Sequence, residues 1–188
     1  MNSFQVAMVV PRCAAQAAEP LYPTAELRRW IARGDVSLVA FPEMHVNART
    51  VRGVVPAVRT IAEDLGVPVM CGAWAEDAYQ CAGYWNPSPR KGETREHFYA
   101  KHATSVRLAY ELPNYSKMRD AMFEPIVLGG RRLAVQLCHD MFFGLVTARS
   151  KAAGADVHFD LTGSNVNLSQ WTDVLAARPL QEQAPFLC

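Results

Sequence analysis

Three apolar stretches of this chain each end on a residue able to do chemistry. Val39-Ala40-Phe41-Pro42 leads to Glu43, Phe98-Tyr99-Ala100 leads to Lys101, and Leu133-Ala134-Val135-Gln136-Leu137 leads to Cys138. A carboxylate, an ammonium and a thiol are complementary. A sulfur nucleophile needs a base to take its proton, and the oxyanion it creates at a carbonyl carbon needs donors. The strand ends of an α/β sheet are where such groups collect. Each residue also has a plain structural reading: Glu43 as an exposed loop carboxylate, Lys101 as a solvated strand-end cation, Cys138 as a small core hydrophobe. Taken together, they point to attack by Cys138, with Glu43 as a base raised in pKa by Phe41, Pro42 and Met44, and Lys101 as an oxyanion donor.

Neighbouring residues add candidates. His139 and His45 offer a Cys–His pair, but a side chain adjacent to the nucleophile is expected to point away from it. Asp140 is expected to accept backbone N–H bonds and organise the bend rather than react. Phe142 and Asn165, the latter in Thr162-Gly163-Ser164-Asn165, are candidates for the lining of a substrate pocket; their plain readings are a core aromatic and a turn residue.

The elements that must position these groups fit one domain spanning residues 1–188. Phe4 to Val10 reads as a strand buried on both faces. Thr24 caps a helix with Leu27, Trp30 and Ile31 on one face and Gly34 as its stop, and a strand from Val36 to Phe41 ends at Pro42-Glu43. Val54, Val58, Ile61, Ala62 and Leu65 form a helical stripe, with Pro56 in the first turn and Gly66 at the end, and Val67 to Ala73 is a third strand. Tyr79 to Asn86 and His97 to Lys101 flank a Pro-rich hairpin loop. An irregular segment from Leu112 to Glu124 leads to Pro125–Leu128, the Gly129-Gly130 turn and the strand that ends at Cys138. Leu145, Ala148, Arg149 and Ala152 mark a short helix closed by Gly154. Val157, Phe159 and Leu161 alternate with His158 and Asp160, so that strand shows two different faces. Trp171 to Arg178 gives a last helical face, and Phe186-Leu187-Cys188 opens a further strand. A chain that ends inside apparent core is expected to be an incomplete domain. Strands and helices alternating at these short spacings argue for an α/β layer architecture.

Composition narrows the function. The balance of 19 basic and 18 acidic side chains leaves a net charge of +1, and basic residues are not interleaved with aromatics, so a nucleic-acid surface is not expected. No run has the length of a membrane span and the N-terminus lacks the features of a signal peptide, so a cytoplasmic location without membrane contact is expected. The five cysteines are odd in number and widely spaced, which argues against a zinc site and for free thiols. No cofactor is expected.

Phe41-Pro42-Glu43, Tyr99-Ala100-Lys101-His102 and Leu137-Cys138-His139-Asp140 resemble, in order and in spacing, the three signature motifs of the nitrilase (carbon–nitrogen hydrolase) superfamily. The likeness runs from Gln5 to Cys188. It implies a four-layer α-β-β-α sandwich, lacking here the last strands of the second sheet, and a Glu43–Lys101–Cys138 triad. The resemblance makes the backbone N–H of His139 the second oxyanion donor. It also makes Glu111, four residues before Tyr115, the second glutamate that orients Lys101, with Glu124 as runner-up. Ser116-Lys117 and Arg178-Pro179-Leu180-Gln181-Glu182 depart from the superfamily's pattern. The implied activity is hydrolysis of a non-peptide carbon–nitrogen bond in a small amide, carbamoyl amino acid or nitrile, through a thioester with release of ammonia or amine. Acyl transfer, a glutaminase domain of a larger enzyme, and an inactive truncated fragment acting as a binding or assembly module are the alternatives. A homo-oligomer, a dimer or larger, is implied by the same likeness.

Overall fold

The computed structural model describes residues 4–9, 24–76, 79–102, 121–162, 176–177 and 186–187. The first sheet is built from β1 (Val6–Met8), β2 (Leu38–Ala48), β3 (Val69–Ala75), β4 (Tyr79–Trp85) and β5 (Glu96–Ala100), in that spatial order. The first three strands are parallel and the last two antiparallel. Helices α1 (Thr24–Ala32) and α2 (Val51–Leu65) are the crossovers between the parallel strands. The second sheet runs β6 (Ile126–Leu128), β7 (Arg131–Gln136), β8 (Val157–Asp160) and β9 (Phe186–Leu187), with α3 (Gly144–Ala152) between β7 and β8.

Alternation along each strand assigns the layers. On β2, Val39 and Phe41 pack into a cluster with Leu27 of α1 and with Val54, Val58, Ala62 and Leu65 of α2. Leu38 and Ala40 point the other way, into a second cluster shared by Met70, Tyr84 and Tyr99 of the first sheet and Leu133, Val135 and Phe159 of the second. Both faces of β2 are therefore dry from Leu38 to Phe41, which is why that part of its sequence reads as a continuous apolar run. Gln136 of β7 donates to Thr147 of α3 at 2.9 Å, so α3 covers the outer face of the second sheet. The order helix, sheet, sheet, helix is the α-β-β-α sandwich that the sequence led us to expect.

Several local expectations change. β2 does not stop at Pro42-Glu43; it continues to Ala48 through a register shift between Phe41 and Val46. A proline inside a paired strand is accommodated at such a bulge, where no ladder hydrogen bond is asked of it. Pro56 lies beyond the first turn of α2, and Gly66 closes that helix at φ +73 with its N–H on Ala62. Trp30, placed by its spacing on the buried face of α1, is 44% exposed. The stripe expected for α3 is the solvent side. Leu145 is 68% exposed, and Val146, Thr147 and Ser150 are buried instead. Thr147 there meets the buried Gln136 side chain, so the inward face mixes hydroxyls with Val146 and does not read as an apolar stripe. The alternation read in β8 holds: Phe159 joins the inter-sheet core and His158 faces away from it. β9 pairs parallel to β8 where a further strand was expected. The segment from Leu112 is described only from its short 3-10 turn at Ala121–Phe123 onward, and most of the Trp171–Arg178 helix lies outside the described residues.

Candidate active site

The β6–β7 hairpin turns through Gly129 and Gly130, at φ +58 and +76, a pair of left-handed conformations that favours glycine. It delivers β7 straight to the bend at Cys138. Leu137 is still extended, at φ −126 and ψ 109, whereas Cys138 has φ +49. A left-handed conformation in a residue with a Cβ carries strain, and it turns the side chain out of the sheet at the start of a short 3-10 helix, Cys138–Phe142. Asp140 holds this elbow. Its carboxylate accepts the N–H of Leu137 at 3.3 Å, the N–H of His102 at 3.0 Å and the Tyr99 hydroxyl at 2.6 Å, while its own N–H returns to the Leu137 carbonyl at 3.0 Å. One buried carboxylate thus ties the end of β5 to the end of β7, as backbone capping by Asp140 would require.

Glu43 reaches the same place through the bulge in β2. The next residue, Met44, has φ +59, and the chain there presses on β3 at Gly72. A Cβ on Gly72 would stand 2.4 Å from Glu43 Cα and 2.5 Å from the Pro42 carbonyl oxygen, so glycine is what lets the bulge form. Lys101 follows β5 directly. Its Nζ donates to Glu43 Oε1 at 2.7 Å and to Gln80 Oε1 at 2.7 Å, and Glu43 and Lys101 are only 8% and 3% exposed.

The thiol is part of this group. Its pKa is pushed up to about 12, first by burial and then by the Glu43 carboxylate, against which Lys101 acts in the opposite sense; Asp160 adds to the rise, and a hydrogen bond to Glu43 holds the proton on sulfur. Cys138 is therefore a protonated thiol facing a carboxylate, not a preformed thiolate. A base that accepts the proton as sulfur attacks is what such an arrangement can use.

The other candidates sort by position. His139 does not turn fully away: its Nδ1 lies 3.6 Å from Cys138 Sγ and its ring stacks on Phe142 at 5.6 Å between centroids. Phe142 is half-buried beside the elbow. His45 stacks on Phe41 at 4.5 Å. Glu124 is exposed and borders a surface groove with Arg52, Arg59 and Trp85. Glu111 and Asn165 lie outside the described residues. Gln80, which sequence reasoning missed, is the second acceptor for Lys101. Only the hairpin register reveals it, since pairing Cys81 with Ala100 sets Gln80 opposite Lys101. Among the described residues no cluster of His, Cys, Asp and Glu has the arrangement of a metal site, and no helix is long and apolar enough to cross a membrane.

Comparison by sequence finds neither a matching family profile nor a matching curated protein. Comparison of folds finds solved structures of an amidase from Nesterenkonia sp. AN1. A double mutant of that amidase in complex with acrylamide aligns with a TM-score of 0.66 at 15% identity, over 97% of this chain and 76% of the other. A cysteine-to-serine mutant, described as an amidase from the nitrilase superfamily, gives 0.65 at 17% identity over 97% and 77%. A glutamate-to-glutamine mutant showing Michael addition of acrylamide at its active site cysteine gives 0.63 at 16% identity over 98% and 79%. The fold of this chain is thus the fold of those amidases.

Proposed function

We propose that this chain is a nitrilase-superfamily hydrolase that cleaves a small carboxylic amide through a thioester on Cys138. The observation that carries the reading is the convergence of Glu43 from the bulge in β2, Lys101 from the end of β5 and Cys138 from the bend after β7 on one buried site. As Cys138 sulfur bonds to the amide carbon, Glu43 takes the thiol proton and the carbonyl electrons move onto oxygen. Lys101 and the backbone N–H of His139 donate to that oxyanion. Collapse breaks the carbon–nitrogen bond, the proton held by Glu43 goes to the leaving nitrogen, and ammonia departs. Water then attacks the thioester, Glu43 accepting its proton. The second collapse frees the carboxylic acid, and the proton returns to the departing sulfur.

The carboxylate–lysine contact has a role in this sequence. Lys101 lies 2.7 Å from the base, so its charge opposes the rise of the thiol pKa and also favours an anion at the attacked oxygen. Acrylamide is bound by one neighbour of similar fold and butyramide by another structure of the same amidase, which makes short neutral amides the first substrates to test. The assay is release of ammonia from butyramide by the wild-type chain and by Cys138→Ala. Transfer of the acyl group to an added amine, in place of acid formation, would select the acyl-transfer alternative.

A further inference from the structure

Lys101 has two acceptors, and the sequence of steps above uses only one. Gln80, part-buried on β4, is the other, with its Oε1 2.7 Å from Lys101 Nζ. The two residues are bound twice, because the Lys101 N–H also donates to the Gln80 carbonyl at 3.1 Å. The far end of the amide is engaged as well: Nε2 lies 3.8 Å from the sulfur of Met44, the φ +59 residue that follows Glu43 in the bulge. With oxygen on an ammonium and nitrogen near a sulfur acceptor, the partners assign the amide's orientation. Gln80 therefore bridges the two elements that carry the base and the ammonium.

The chemistry of the acceptor matters. A lysine on its flexible four-carbon stem is held in direction by one partner and at a point by two. Glu43 already neutralises Lys101. A second carboxylate would make the assembly a net anion beside a thiol whose deprotonation two carboxylates already oppose. An amide oxygen accepts the N–H and leaves the positive charge in place.

We propose that Gln80 is a positioning residue that fixes Lys101 beside Glu43 with a neutral hydrogen bond, so that the ammonium stays both charged and in place. The value of this for an oxyanion rests on the hydrolase reading above; the action of Gln80 through Lys101 does not. The experiment is therefore a double-mutant cycle read on Cys138 itself. Its alkylation by iodoacetamide is followed by mass spectrometry from pH 6 to 10 in the wild-type chain, Gln80→Met, Lys101→Met and the double variant. Alongside, kcat and KM for butyramide are measured in wild type, Gln80→Met and Gln80→Glu.

Removal of Lys101 is expected to slow alkylation roughly tenfold at fixed pH, as a one-unit rise in thiol pKa does. Gln80→Met shows a large part of that loss, and the double variant is no slower than Lys101→Met alone. With butyramide, Gln80→Met lowers kcat roughly 10- to 100-fold while KM moves little, the pattern of a misplaced catalytic group. Gln80→Glu keeps the acceptor and the fold but lowers kcat by making the assembly a net anion. Independent, additive slowing of alkylation, or a Gln80→Met chain that alkylates like wild type, overturns the proposal. So does wild-type kcat in Gln80→Glu, which also carries the test if Gln80→Met does not fold. A wild-type chain that never releases ammonia removes the hydrolase reading and leaves the alkylation cycle to decide the role of Gln80.

Discussion

Glu43 and Lys101 form a buried ion pair, and such a pair is held together by what its removal would strand. Desolvating two charges offsets much of their attraction, but an unpartnered buried charge is far worse. Lys101→Met is therefore expected to lower the unfolding free energy by about 3–5 kcal/mol, measured by urea denaturation. A change of less than about 1 kcal/mol would mean that the pair is open to water. For the proposed catalysis the critical partner is the carboxylate. Because the thiol is pushed up to about 12 by burial and by Glu43, attack depends on a base that takes the proton during the step. Glu43→Gln is expected to lower kcat roughly 10²- to 10⁴-fold, the usual contribution of a positioned general base. Turnover within a fewfold of wild type would remove Glu43 from that role.

At the scale of elements, two irregularities make the site: the bulge in β2 and the left-handed residue after β7. The bulge exists because Gly72 gives way. Gly72→Ala would drive a Cβ to 2.4 Å from the Glu43 backbone, and backbone cannot retreat as a flexible side-chain tip can. It is expected to cost about 2–4 kcal/mol of stability and most of the activity, whereas Gly53→Ala, whose Cβ would have only an ordinary 3.5 Å neighbour, is expected to do neither. Equal effects of the two substitutions in thermal melts and turnover would contradict this account. The same elements mark what the sequence could and could not reveal. Glu43, Lys101 and Cys138 were legible because each ends an apolar run, which is a one-dimensional signal. Gln80 was not, because it sits in an ordinary strand and acquires meaning only through the β4–β5 register. The path of β2 past Pro42 was hidden by the usual reading of proline as a strand stop. The buried face of α3 was misread because two of its three buried residues, Thr147 and Ser150, are polar and Thr147 meets Gln136, so the hydrophobic pattern pointed outward.

At the scale of the molecule, the two packed sheets enclose apolar core, and histidines buried in the fold make its stability depend on pH. His97 and His158 are both lowered to about 4 by burial. Their folded-state values lie below the unfolded value of 6.5, so between about pH 6.5 and 4 the unfolded chain binds more protons. The stability contributed by keeping them neutral is complete above pH 6.5 and is lost as pH falls toward 4. The melting temperature is expected to drop across that window, and His158→Gln is expected to flatten the drop; an unchanged slope in that variant would show that His158 does not drive it.

Joint action of Glu43, Lys101 and Cys138 as an amide-cleaving centre can be tested at the nucleophile itself. The 188-residue chain and its Cys138→Ala variant are given butyramide, and ammonia is measured over time with folding checked by circular dichroism. Steady ammonia release is expected from the wild type and none above background from the folded variant. Equal release by both would contradict it.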